Sequence, residues 1–261
     1  MKIARHAQII KLINQYDIET QEELAKKLEE ERNFPCPVER GGMAEEAPAI
    51  TYQNVSFSFD QRQLYRDFCH VFRPGGCYAV VGESGSGKTT LIKLLLKYYD
   101  HYTGEIYFGN QDIRNATEAE ILGQISVVNQ STFLFNASLY ENITMFGQEP
   151  APDSDAYQAL LEELNLTDLA KRVGEKPLGD FGDNISGGER QRICIARAMQ
   201  KHASVMVFDE PTTGLDPENV KLIQEFIFRQ KHITRIVITH DWSEDYLDRF
   251  DEVIRIPGAA D

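Results

Sequence analysis

The sequence predicts an α/β protein built around a parallel sheet, and three observations carry that prediction. From Ala49 onward, short β-rich runs alternate with helical stretches. Several of the runs, CYAVVG and SVMVFDE among them, are apolar almost throughout, as strands buried on both faces read. Polar residues suited to chemistry stand at the C-terminal ends of those runs, where open α/β sheets place their ligands.

The elements follow in order. Residues 1–33 are helical in pattern: Ile9, Ile10, Leu12 and Ile13 give a first helix its apolar side. Thr20-Gln-Glu-Glu23 has the form of a capping box and opens a second helix through Leu24 and Leu28. Residues 34–48 carry Pro35, Pro37, Gly41, Gly42 and Pro48 and read as a linker. Residues 49–261 form the third segment. In it ITYQNVSFSF (50–59) alternates as a strand does, and CYAVVG (77–82) is a buried-type strand. A glycine-rich turn and the helix KTTLIKLLLKYY (88–99) come next. GEIYFG and QISVVNQ are two further strands, residues 154–173 are helical, and NISGGERQR (184–192) opens another helix. SVMVFDE (204–210) and RIVITH (235–240) are buried-type strands.

Composition narrows the function. The 261 residues carry a net charge of −14, which argues against a DNA-coating role, because phosphate binding needs clustered Lys and Arg. The four cysteines, Cys36, Cys69, Cys77 and Cys194, form no CxxC pair; scattered thiols fit a reducing cytoplasm. No apolar run approaches the ~20 residues of a membrane helix, and the N-terminus has no signal-peptide core, so the chain is expected neither to be exported nor to span a membrane.

Five stretches carry chemistry. GESGSGKT, Gly82 to Thr89, fits G-x-x-x-x-G-K-[ST] between a strand and a helix. Gly85 and Gly87 let the backbone approach phosphates, Lys88 can reach β and γ oxygens, and Thr89 can ligate Mg²⁺. VMVFDE ends in Asp209, a candidate Mg²⁺ carboxylate, and Glu210, placed to deprotonate a water. His240 ends the next strand, within reach of a γ-phosphate, and Gln130 ends ISVVNQ as a neutral ligand for Mg²⁺ or water. Ser186, Gly187 and Gly188 stand at a helix start, where free N–H groups and the helix dipole favour an anion. A second anion site about a hundred residues after the first needs explaining.

Over residues 50–256 this set resembles the nucleotide-binding domain of the ABC transporter superfamily. The resemblance rests on six motifs in order: the Walker A loop GESGSGKT, the glutamine loop at Gln130, the signature ISGGE, the Walker B strand VMVFDE, the D-loop at Leu215-Asp216 and the switch His240. It implies a P-loop NTPase fold with an antiparallel β subdomain, a mostly parallel core sheet and an α-helical signature subdomain. It implies Mg²⁺-dependent ATP hydrolysis, with Glu210, His240, Gln130 and Lys88 catalytic and Thr89, Gln130 and Asp209 holding the metal. ATP is expected on Phe59, which stands where the family stacks an aromatic on adenine, and along Gly82, Glu83, Ser84, Gly85, Ser86, Gly87, Lys88, Thr89 and Thr90. The second anion site is explained as well, since Ser186, Gly187, Gly188 and Asp216 are expected to act in trans on a partner's nucleotide.

QSTFLFNASLYENI (130–143) and LGDFGDNISGG (178–188) resemble the exporter-type segments that face membrane domains, with Leu178 and Asp180 as departures. The implied partners are a transmembrane domain or subunit and a second ATPase domain, as a homodimer or heterodimer, at the cytoplasmic face of the cell membrane. Glu189 departs from the family's usual Gln; a carboxylate there should weaken anion binding unless it points away or pairs with Arg190 or Arg192. Finally, KIARHAQIIKLINQYDIETQEELAKKLEE resembles the first two helices of the arginine repressor winged-helix domain, without the recognition helix that should follow. The alternative functions are therefore a DNA-associated regulator using those helices, or a truncated orphan ATPase cassette.

Overall fold

The structure, a computed structural model, describes residues 48–59, 62–130, 133–179 and 185–256. The expected N-terminal hairpin at 1–33 and nearly all of the linker lie outside the described residues.

Among the described residues two sheets form. β1 (Ile50–Phe59), β2 (Arg62–Phe72), β4 (Thr103–Phe108) and β5 (Gln111–Asp112) make an antiparallel sheet in the order β2-β1-β4-β5. β6 (Ile125–Val128), β7 (Val205–Asp209), β8 (Thr234–Thr239), β3 (Cys77–Val81) and β9 (Glu252–Arg255) make a parallel sheet in the order β6-β7-β8-β3-β9. The helices are α1 (Lys88–Leu95), α2 (Glu118–Gln124), α3 (Leu139–Thr144), α4 (Asp155–Glu163), α5 (Thr167–Val173), α6 (Gly187–Met199), α7 (Pro217–Arg229) and α8 (Glu244–Leu247).

The parallel sheet divides the hydrophobic core in two, because side chains alternate between faces along each strand. Ala79, Val81, Met206, Phe208 and Val237 turn to one face and pack with Ile193 and Ala196 of α6, Ile223 and Phe226 of α7, and Leu160 and Leu161 of α4. Tyr78, Val80, Val205, Val207, Ile236 and Ile238 turn to the other. They meet Leu91, Leu94 and Leu95 of α1 and the inner face of the antiparallel sheet, Ile50, Tyr52, Phe57 and Ile106. Each large side chain so buried contributes roughly 1.5–3 kcal/mol. The helical and antiparallel parts thus grip opposite faces of one sheet.

Two helices differ from expectation. The helix expected over 88–99 stops at Leu95, and Lys97 follows in the left-handed region at φ 62°. The helical stretch 154–173 is two helices, α4 and α5, parted where Asn165 takes φ 51°, a conformation Asn tolerates better than most residues. No helix among the described residues is long and apolar enough to cross a membrane.

Candidate functional site

The strand order assembles the site. β3 runs into the phosphate loop, β7 ends in Asp209, and β8, lying between them, delivers His240 just past its end. A cleft of about 420 Å³ opens there, lined by Phe59, Ser84, Gly85, Gly87, Lys88, Thr89, Thr90, Glu210 and His240, together with Arg62 and Leu64.

The loop is held from several sides. Gly87 sits at φ 106°, and a Cβ there would crowd the Tyr65 hydroxyl, which donates to the Gly87 carbonyl; only glycine meets both conditions cheaply. Lys88 is buried and its Nζ donates to the carbonyls of Gly82 (3.0 Å) and Glu83 (2.8 Å). Burial draws its pKa below the usual lysine value, although Glu210 and Asp209 push it up. The Ser86 hydroxyl is buried without a hydrogen-bond partner among the described residues. An unpartnered buried donor at the start of a helix is suited to a phosphate oxygen.

The Thr89 hydroxyl lies 3.0 Å from Asp209 Oδ2. Burial lifts the Asp209 carboxyl above its ordinary range; the Thr89 hydrogen bond opposes this and Glu210 adds to it. A hydroxyl beside a carboxylate is a hard-oxygen pair of the kind Mg²⁺ takes alongside phosphates and water. Among the described residues no three His, Cys, Asp or Glu side chains are placed to hold a metal ion by themselves, and a hydroxyl with one carboxylate fits a cation shared with phosphates better than an all-protein cage.

Glu210 is the hub. Its backbone is left-handed at φ 50° and its N–H donates to the Ile238 carbonyl at 3.0 Å. His240 Nε2 lies 2.7 Å from Oε1; Gln130 Nε2 donates to Oε2 at 2.9 Å and the Thr213 hydroxyl to the same oxygen at 3.2 Å. The structure therefore brings Gln130 to Glu210. Phe59 is half-exposed (37 %), with its ring edge-on to Phe57 and Tyr99 at 4.9 and 5.0 Å between centroids.

Ser186, Gly187 and Gly188 are not among the residues that line this cleft. Ser186 N-caps α6, its oxygen accepting from Glu189 N–H (3.2 Å), while Glu189 Oε2 accepts from Ser186 N–H at 2.8 Å. The Glu189 carboxylate is turned onto its own N-cap, and Arg172 of α5 donates to its Oε1 at 2.8 Å. Burial raises the Glu189 carboxyl, but the Ser186 and Arg172 hydrogen bonds outweigh it and leave the pKa below the ordinary value. The carboxylate is thus turned back onto its own helix. The capping box consumes Ser186 N–H, and the Ser186 hydroxyl also bonds the Glu189 carboxylate, so the N–H groups of Gly187 and Gly188 are the donors left and the hydroxyl must turn from Glu189 to serve another anion.

Asp216 N-caps α7, accepting from the backbone N–H (3.1 Å) and side chain (2.6 Å) of Asn219. Asn219 also accepts from Arg192, and a Cβ at Gly188 would overlap its amide. Gly188 is therefore glycine so that the start of α7 can lie against the start of α6. Deeper in α6, buried Arg197 donates to the carbonyls of Asn142 (2.9 Å) and Phe133 (2.8 Å), tying α6 to the segment that follows Gln130.

Sequence reasoning missed Arg62, Leu64, Thr213, Arg172 and Asn219. Arg62 had one available signal, its place a few residues beyond Phe59. The others become visible only when distant elements meet.

A parallel sheet with a glycine-rich phosphate loop after one strand and an Asp-Glu pair after another defines a nucleoside-triphosphate-binding α/β protein. The comparisons with known proteins are more particular. The family model for the ABC transporter matches residues 66–213. The chain is 36% identical over 195 residues to the ATP-dependent lipid A-core flippase of Syntrophus aciditrophicus, covering 73% of this chain and 32% of the flippase. It is 31% identical over 232 residues to that of Francisella novicida (87% and 39%) and 34% identical over 234 residues to that of Burkholderia pseudomallei (86% and 38%). Among solved structures, a bacterial Atm1-family ABC exporter with ATP bound superposes with a TM-score of 0.73 at 26% identity, covering 91% of this chain and 43% of that one. The chain belongs to the ABC transporter family and carries its ATP-hydrolysing domain. It spans between about a third and two fifths of the length of the curated relatives it matches.

Proposed function

We propose that this chain is the ATPase unit of an exporter, dimerising around ATP and driving a transmembrane domain at the cytoplasmic membrane face. The observation that supports this best is the convergence of Gln130, Thr213 and His240 on Glu210 at the rim of the cleft that holds the phosphate loop. The functional unit is residues 49–261, which contain the stretch 50–256 that the family resemblance covers.

In this reading adenine stacks on Phe59 and the triphosphate lies along Gly82–Thr90, with Lys88 turning from its loop carbonyls to the β and γ oxygens. Thr89 and Asp209 would hold Mg²⁺, with Gln130 joining them once it leaves Glu210; when bound, the ion neutralises charge on the β and γ oxygens. Glu210 takes the proton of a water whose oxygen bonds to the γ-phosphorus. The bond from that phosphorus to the β–γ bridging oxygen breaks, giving ADP and phosphate. Oε2 already accepts two hydrogen bonds, and Oε1 lies 2.7 Å from His240 Nε2, where it accepts a third when that nitrogen carries a proton. A carboxylate accepts about four, so one position remains for water unless Gln130 lets go. His240 steadies the charge that develops on the γ-phosphoryl group.

The second anion site serves a partner. Ser186 O–H and the N–H groups of Gly187 and Gly188 close over a γ-phosphate held by another ATPase domain, with Asp216 alongside. Exposed Phe146, packed edge-on to Phe135 beyond Gln130, supports a docking face for membrane helices there. The flippase relatives support export, while the substrate is set by a transmembrane partner.

Glu210→Gln keeps the side chain's shape and removes the base. It should abolish turnover and accumulate an ATP-bound dimer by light scattering; wild-type hydrolysis by this variant would refute the role of Glu210.

A further inference from the structure

Arg62 begins β2 and pairs in register with Phe59 at the end of β1, so one hairpin offers an aromatic ring and a guanidinium side by side. Both line the cleft. Arg62 Nη2 donates to the Gly85 carbonyl at 3.1 Å, bridging the antiparallel sheet to the crest of the phosphate loop. A guanidinium is charged at any working pH and carries five donors. One is used on Gly85, and the rest stand in a cleft whose other long cation, Lys88, has been accounted for.

We propose that Arg62 is a nucleotide-binding residue of this chain, a second cation for the triphosphate between the base-stacking ring and the phosphate loop. The proposal rests on the ATP reading of the cleft. Held by Gly85, the guanidinium is fixed before nucleotide arrives, so little side-chain freedom is lost on binding. The bridge also sets the hairpin, and with it Phe59, at a fixed distance from the loop. The residue serves binding more than chemistry, because it sits on the Phe59 side of the cleft, away from Glu210.

The test is equilibrium titration with Mg²⁺-ATP, and with adenosine, beside steady-state hydrolysis. Arg62→Ala should weaken ATP binding about tenfold, the size expected for one lost charge-assisted hydrogen bond. KM should rise, kcat at saturating ATP should hold, and adenosine binding should change less than twofold. Arg62→Lys, which keeps the charge, should recover part of the loss. A merely structural hairpin role would weaken adenosine and ATP alike and would not be rescued by Lys; that result overturns the proposal. So does ATP binding by Arg62→Ala within twofold of wild type. If Arg62→Ala does not fold, Arg62→Lys and Arg62→Gln decide between them: Lys should bind more tightly, and equality overturns the proposal. Lys88→Ala separates the two levels. If it loses ATP while Arg62→Ala does not, only the Arg62 assignment falls; if wild type binds no ATP, the reading of the cleft falls with it.

Discussion

Asp209 carries its carboxylate in a place that disfavours charge, burial being the main cause and Thr89 only partly offsetting it. A carboxyl whose pKa rises on folding contributes stability that is full below its unfolded pKa and is lost as pH rises through its folded one. Near neutral pH the ionised group therefore costs stability until a cation compensates. Asp209→Asn should leave the nucleotide-free protein at least as stable as wild type at pH 7, with the advantage fading towards pH ~4. It should also lose the added thermal stability that Mg²⁺ gives in the presence of ATP. Thermal melts across pH, with and without Mg²⁺-ATP, check both halves; a large loss of stability without nucleotide would contradict the electrostatic argument. The place of Asp209 at the end of a buried strand was legible in the sequence, because a carboxylate closing an apolar run has few other places to go. Its strain was not, since that depends on what packs around it.

At the scale of elements, α6 shows how a local signal is completed from a distance. Ser186 followed three residues later by Glu189 is a capping box, and the structure closes it as such. The ion pair with Arg172, 17 residues upstream, could not be read locally, because it depends on α5 packing beside α6. Glu189→Gln keeps the cap and gives up only a partly exposed ion pair, so it should cost about 0–1 kcal/mol. Glu189→Ala loses the reciprocal cap as well and should cost roughly 1 kcal/mol more. Urea unfolding measures the difference. The Glu189 carboxyl is held below its ordinary pKa, so its contribution is present above the unfolded value and is lost as pH falls through the folded one. Wild type and Glu189→Gln should therefore converge in acid. The buried strands were legible because a continuous apolar run between turn signals has one good home. β2 was not, because its pairing with β1 is interrupted by register shifts and its burial does not alternate cleanly. The break inside 154–173 was missed for a related reason: helical periodicity continues across Asn165 while the backbone does not.

At the scale of the whole molecule, the core lies on both faces of one sheet, and the cleft is lined by the antiparallel sheet together with the strand ends of the parallel sheet that both halves of the core share. Ligand binding should stabilise the fold as a unit. With ATP at a hundredfold its Kd the gain is about 2.7 kcal/mol, seen as a single shifted transition in calorimetry; Lys88→Ala should remove most of it. A transition that splits in two would show that the helical and antiparallel parts unfold separately. The strand order has a consequence of its own. Val81 pairs with Thr239 and Asp209 with Ile238, so one strand sets where His240 stands relative to both the phosphate loop and Glu210. Slipping β8 by one residue would carry the imidazole roughly 3.3 Å along the strand and turn it to the opposite face. The turnover rate is thus also a ruler laid along the middle of the sheet, graduated in single residues, and a substitution deep in β8 can silence the enzyme without touching anything that meets ATP.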